Sequence, residues 1–180
     1  MENISTKERN RTAIISGIIL GIIYILITTA VYKSVGDMKL FYTIKGVGYV
    51  AYLAILGAMT ARVKKANGGY LDFKDTFGTI FIILLIANVL YYIYNYAYHQ
   101  YIDPQLMYKM KASSIDLMRQ LHATEDKIKQ TTQDMDREIA ASKTFNLSNN
   151  LMSFLGTLLT DCFFGLVVAA VVKKNKPAYV

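Results

Sequence analysis

One cysteine, Cys162, stands in a chain of 180 residues. An intrachain disulfide needs two cysteines and a cysteine-built metal site needs several, so both are excluded. Cys162 falls inside an apolar run and reads as a small buried side chain. Histidine is almost as scarce. His99 and His122 are the whole supply, and a metal site needs several convergent ligands. Gly68-Gly69 is not followed by the G-x-x-x-x-G-K-[ST] pattern of a phosphate loop. Paired acids, histidine clusters and nucleophile motifs are missing from the apolar runs as well. The chain is therefore read as non-enzymatic, with no cofactor and no metal expected.

Charge is the other scarcity, and it is local. Thr12 to Tyr32 reads TAIISGIILGIIYILITTAVY, with no charge, and Phe77 to Ala97 reads FGTIFIILLIANVLYYIYNYA, also with none. Phe41 to Ala61 carries only Lys45, and Leu151 to Val172 only Asp161. Each run is close to the ~20 apolar residues that an α-helix needs to cross a hydrocarbon core. Buried helices of soluble proteins are usually shorter and keep a polar face. The predicted fold is all-α: one four-span membrane domain over 1–180, with spans at about 12–32, 41–61, 77–97 and 151–172. The first run is too long for a signal-peptide core and no A-x-A site closes it, so it is expected to stay as a helix.

The formal net charge of +7 gathers at the ends of these runs. Lys7, Arg9 and Arg11 precede the first. Arg62, Lys64, Lys65 and Lys74 lie between the second and third, and Lys173, Lys174 and Lys176 follow the fourth. With four spans these segments share one side, and the positive-inside rule makes that side cytoplasmic. Segment 98–150 then lies outside the cytoplasm, its basic residues matched one for one by acids. Anionic lipid headgroups explain the basic flanks. Nucleic acid is not expected, because no binding signature for it accompanies them.

In the long outer segment, Asp103-Pro104 has the form of a helix start. From Gln105 to about Ser142 there is neither Pro nor Gly. Met107, Met110, Leu117, Met118, Leu121, Ile128, Met135 and Ile139 recur at three- and four-residue spacing, which predicts an amphipathic helical insert over 104–142. Ser114, Thr124 and Thr131 interrupt the stripe, so it is no regular coiled coil. The stripe must pack on something: itself as a hairpin, a second copy of the chain, the membrane or a partner protein. Lys143 to Asn150 reads as a turn-like linker. On the other side Asn67-Gly68-Gly69 marks a turn, and Asp72 is placed to cap a short interfacial helix feeding the third span.

Polar residues inside the runs carry the functional question. On a helical wheel Asn88, Tyr92, Asn95 and His99 form one stripe of the third run. Tyr91, Tyr94, Tyr98 and Tyr101 form a neighbouring aromatic edge, expected to rise to the outer interface as a belt. Ile86, Val89, Leu90, Ile93 and Ala97 fill the opposite face, which suits lipid. Asp161 sits near the middle of the fourth run. A mid-membrane carboxyl is costly, about 3 kcal/mol on insertion scales, and usually faces the interior. Its natural partners are Asn88, Tyr92 or Thr157. Lys45 either snorkels outward or reaches towards Asp161, with Tyr49 and Tyr52 continuing its face. Two roles fit Asp161: an interhelical hydrogen bond that orients the bundle, or a proton or ligand relay. The first has more weight, because such bonds are common between membrane helices. Small residues mark packing surfaces: Gly17 with Gly21, Ala54 with Ala58, Gly57 with Ala61, and Gly165 with Ala169.

The GGYLDFKDTF entry to the third run and the YNYAYHQYIDP exit from it, with four runs and a long helical insert before the last, resemble a family of bacterial membrane proteins, domain-of-unknown-function family 4199, found chiefly in Bacteroidetes. The resemblance covers nearly the whole chain. It implies a bacterial inner-membrane location and carries over no activity, substrate or site residue. The function expected from the residues is a structural, accessory or assembly component acting through protein–protein contacts of the 104–142 segment, with the lipid bilayer and a second copy or another protein as partners. The alternative is a small oligomeric transporter or ion-coupled channel built on Asp161, Asn88, Tyr92 and Lys45. A lipid-modifying enzyme ranks last.

Overall fold

Helix boundaries follow from side chains placed to bond free backbone groups. The computed structural model describes residues 6–142 and 147–175. The α1 helix runs Thr6–Lys33 and α2 runs Met38–Ala66. Between them Asp37 Oδ1 accepts the amides of Lys39 (3.0 Å) and Leu40 (3.1 Å), satisfying donors that the first turn of α2 leaves open. After Asn67, Gly68 and Gly69 take φ of 74° and 86°, a conformation that a Cβ disfavours. Asp72 Oδ1 then accepts the Asp75 amide at 2.7 Å and opens α3, Phe73–Ala97. The short interfacial helix expected before the third span is absent. Asp72 caps α3 itself, which runs on unbroken from Phe73 because no Gly-Gly or Pro intervenes.

A π turn, Tyr98–Ile102, extends α3. The Asp103 amide closes it on the Tyr98 carbonyl at 2.9 Å. Asp103-Pro104 belongs to a turn, so α4 starts two residues later than the sequence suggests, at Leu106, and runs to Gln120. The amphipathic insert is two helices, with α5 spanning Glu125–Ser142. His122 breaks it with φ of 54°. The Ala123 amide bonds the Met118 carbonyl at 2.9 Å, the closing bond of a helix end whose following residue turns left-handed. Lys111 Nζ to Asp136 Oδ1, 2.5 Å, ties the two helices together. The stripe is largely covered within the chain. Met110 and Leu117 pack against Val31, Val35, Met38, Phe41 and Tyr98 at one end of the bundle, and Ile128 and Ile139 are buried. Leu121 is the exception, 68% exposed beside the turn.

The last helix, α6, spans Leu147–Val172. Of the linker expected over 143–150, residues 143–146 lie outside the described residues, and the chain is already helical at Leu147. Lys176 also lies outside them. Four helices are long and apolar enough to cross a membrane: Thr6–Lys33, Met38–Ala66, Phe73–Ile102 and Asn150–Val172. They form a bundle in which α1 packs on α3 and α2, and α6 on α3 and α2. Leu20, Tyr52, Leu56, Ile80, Ile83, Leu84, Ala87, Leu158 and Ala169 make the common core. Ile22, Leu26, Val47, Val50, Ile93, Leu159, Phe163 and Val171 point outward, as an apolar solvent requires.

The end opposite α4 is clasped. Leu71 and Lys174 exchange backbone hydrogen bonds of 3.0 and 2.8 Å. Lys64 Nζ donates to the Val172 carbonyl at 2.6 Å, and Arg9 pairs with Asp75 at 2.9 Å. The amino end of α1, the carboxyl ends of α2 and α6 and the start of α3 therefore meet at one end.

Candidate functional site

Asp161 is 3% exposed and Asn88 fully buried, face to face across α6 and α3. Asn88 Nδ2 donates to Asp161 Oδ2 at 2.9 Å and to the Leu84 carbonyl at 3.0 Å. The Tyr49 hydroxyl on α2 donates to Asp161 Oδ1 at 3.2 Å. The Tyr52 hydroxyl, also on α2, lies against the same carboxylate without completing a hydrogen bond. Three helices thus meet at one carboxylate. Two buried atoms beside it, Tyr52 Oη and Asn88 Oδ1, have no partner, and an unmet buried polar atom costs about 1–3 kcal/mol.

Rings connect this knot to α1 and α3. Tyr52 lies 4.8 Å from Tyr24, which stacks on Tyr91 at 4.6 Å. Tyr24 shares a face of α1 with Gly17, Gly21, Thr28 and Tyr32, at spacings of four, three, four and four. That spacing is the signal by which Tyr24 is legible in the sequence. A cavity of about 250 Å³ borders these rings. Tyr24, Ile27, Thr28, Val31 and Tyr32 of α1 line it, with Phe41, Lys45 and Tyr49 of α2, Tyr91 of α3 and Met110 of α4.

The other expected residues distribute differently. Tyr92 is not a partner of Asp161: its ring meets the edges of Tyr91 and Phe154. Thr157 gives its hydroxyl to the Ser153 carbonyl one turn back. Asn95 Oδ1 accepts a short hydrogen bond from the Tyr32 hydroxyl, and His99 sets its ring edge-on to Tyr32 at 5.6 Å. The polar stripe of α3 therefore divides, Asn88 serving α6 and Asn95 with His99 serving α1. Lys45 Nζ lies 6.0 Å from the Phe41 ring centroid, at the cavity rim.

Most of the aromatic edge turns into the bundle and not outward. Tyr91 stacks inside the bundle, the Tyr94 hydroxyl bonds Thr29 Oγ1 at 2.6 Å, and Tyr98 is buried. Only Tyr101 of those four is exposed. Ile86 and Leu90 do not face lipid either, since both press on α1. A wheel ranks faces along one helix, and α3 is flanked on several sides, so its covered arc is wider than a single stripe.

The glycines serve packing inside the chain. A Cβ at Gly17 would stand 2.8 Å from Ile86 Cβ and 2.9 Å from the Ile83 carbonyl oxygen. One at Gly21 would come within 3.2 Å of Ala87 Cα, and one at Gly165 within 2.9 Å of Ile80 Cγ2. A Cβ at Gly57 would meet Val168 Cγ1 in ordinary contact at 3.7 Å. Ala169 is buried and Ala61 half-buried, whereas Ala54 and Ala58 are exposed. Gly48, not singled out from sequence, lies hard against Ile27.

Among the described residues no three His, Cys, Asp or Glu side chains converge as metal ligands would. Residues 15–174 match a family model described as a protein of unknown function, DUF4199. No curated protein and no solved structure matches the chain.

Proposed function

The chain belongs to this DUF4199 family, and we propose that it is a non-enzymatic multi-pass protein of a bacterial inner membrane, a structural or assembly component. The observation that carries this reading is the use made of Asp161. Both carboxylate oxygens are engaged by side chains of other helices, which is what a group that holds a bundle together does. The α4–α5 hairpin, on the outer side, makes the external contacts. Since its apolar stripe is mostly covered, the contacts come from what remains exposed, chiefly Tyr108 and Leu121. The test is crosslinking in native membranes followed by purification. Tyr108→Ser with Leu121→Ser is expected to keep abundance and lose the crosslinked partner. A partner retained by this double variant, or a wild-type chain that crosslinks to nothing, overturns the reading.

A second reading, a small oligomeric transporter, is favoured by the two unpartnered atoms beside Asp161. Oxygens of this kind are what a passing cation takes as ligands. In proteoliposomes Asp161→Asn is then expected to abolish a pH-dependent flux at unchanged abundance. The structural reading expects no flux from either chain.

A further inference from the structure

We infer that the cavity between α1 and α2 is a binding site for a small aromatic acid, a flat ring carrying a carboxylate. This inference stands apart from both readings of Asp161, which does not line the cavity.

Size sets the first limit. The cavity measures about 250 Å³. A dry apolar cavity of about 150 Å³ already takes benzene, so a ring with a short substituent fits here. The walls set the second. Tyr24 and Tyr91 present a stacked pair of rings, with Tyr32 and Tyr49 beside them. Aromatic faces and edges take a further ring in offset or edge-on contact, whereas a branched aliphatic group finds no such match. Charge sets the third. Lys45 is the cation among the lining residues, and no Asp or Glu is among them. A lysine within a membrane span is costly, and Lys45 Nζ stands 6.0 Å from the Phe41 ring, with no acidic side chain in an ion pair with it among the described residues. A carboxylate at the rim gives it a counter-ion. Thr28 adds a hydroxyl to the lining, whereas those of Tyr32 and Tyr49 already donate to Asn95 and Asp161.

Most of the lining comes from α1 and α2, and Lys45 is itself exposed. Entry is therefore from the side, past Lys45, and suits an acid that partitions into the membrane. Tyr49 links the cavity to the polar knot, since its ring lines one and its hydroxyl serves the other.

The probe is 3-phenylpropionate, titrated by calorimetry into the full chain in lipid nanodiscs, with empty discs subtracted. Saturable binding is expected at or below about 1 mM. The neutral 3-phenylpropanamide is expected to bind the wild-type chain about tenfold or more weakly, the worth of one charge-assisted hydrogen bond. Lys45→Met removes that preference and Lys45→Arg restores it. Hexanoate, which has the charge without the ring, binds more weakly than 3-phenylpropionate. Absence of saturable binding overturns the inference, and so does equal affinity for acid and amide. The amide comparison needs no variant, so a misfolded Lys45→Met leaves the test intact. Hexanoate binding as tightly as the aromatic acid overturns the assignment of the rings.

Discussion

At the scale of single residues, Asp161 is held by what surrounds it. Asparagine at this position has the same shape, can accept from Asn88 and can donate to the Tyr49 oxygen, so Asp161→Asn is expected to cost under about 1 kcal/mol. Asp161→Ala removes both bonds and is expected to cost about 1–3 kcal/mol. Reversible unfolding in mixed micelles measures the difference. In the same assay a double-mutant cycle of Asn88→Ala with Asp161→Ala should give a coupling of about 1 kcal/mol, and a coupling near zero would deny the hydrogen bond any energetic role. The Asn88–Asp161 pair was legible in the sequence because each is a polar group at mid-span in need of a partner. Tyr49 and Tyr52 were less so. They were placed on the face of Lys45, and nothing in one helix's sequence says which neighbour that face meets. Tyr92, one of the alternative partners, fails for the same reason: it shares a stripe with Asn88, yet meets Phe154, about two turns before Asp161 on α6.

At the scale of elements, the glycine positions differ in what they leave room for. Gly17→Ala drives a methyl into Ile86 and the Ile83 carbonyl, and should cost about 1–3 kcal/mol by forcing α1 off α3. Gly57→Ala meets only an ordinary contact and gains helix propensity, so it should be neutral or stabilise by up to about 1 kcal/mol. Thermal unfolding of the two variants separates them. The G-xxx-G spacing marked a close-packing face of α1 in the sequence without saying that α3 would meet it, and the same spacing at Ala54 and Ala58 points outward, because spacing names a flat face without naming its neighbour. The break in the amphipathic insert was hinted at by Thr124 alone. His122 is not a residue that announces a left-handed turn, and relieving it should help: His122→Gly is expected to stabilise the hairpin by about 0.5–1 kcal/mol. Slower hydrogen exchange across Leu106–Ser142 would show it, and faster exchange would argue against the turn.

At the scale of the molecule, the four runs were legible because a 30 Å apolar layer imposes its length on any helix that crosses it. Placement of segments 62–74 and 173–174 at one end gives the charge argument a physical body, with the α4–α5 hairpin at the other end. A cysteine at Ser142 should react with a membrane-impermeant maleimide added outside intact cells, and reaction from the cytoplasmic face alone would invert the proposed orientation. The clasp between Leu71 and Lys174 adds a constraint of order in time. A ribosome completes Leu71 about a hundred residues before Lys174, so the amide and carbonyl of Leu71 stay open while α3 to α6 are made. Only when α6 is finished does this end shut, and the final helix becomes the latch on a door that the first three have already hung.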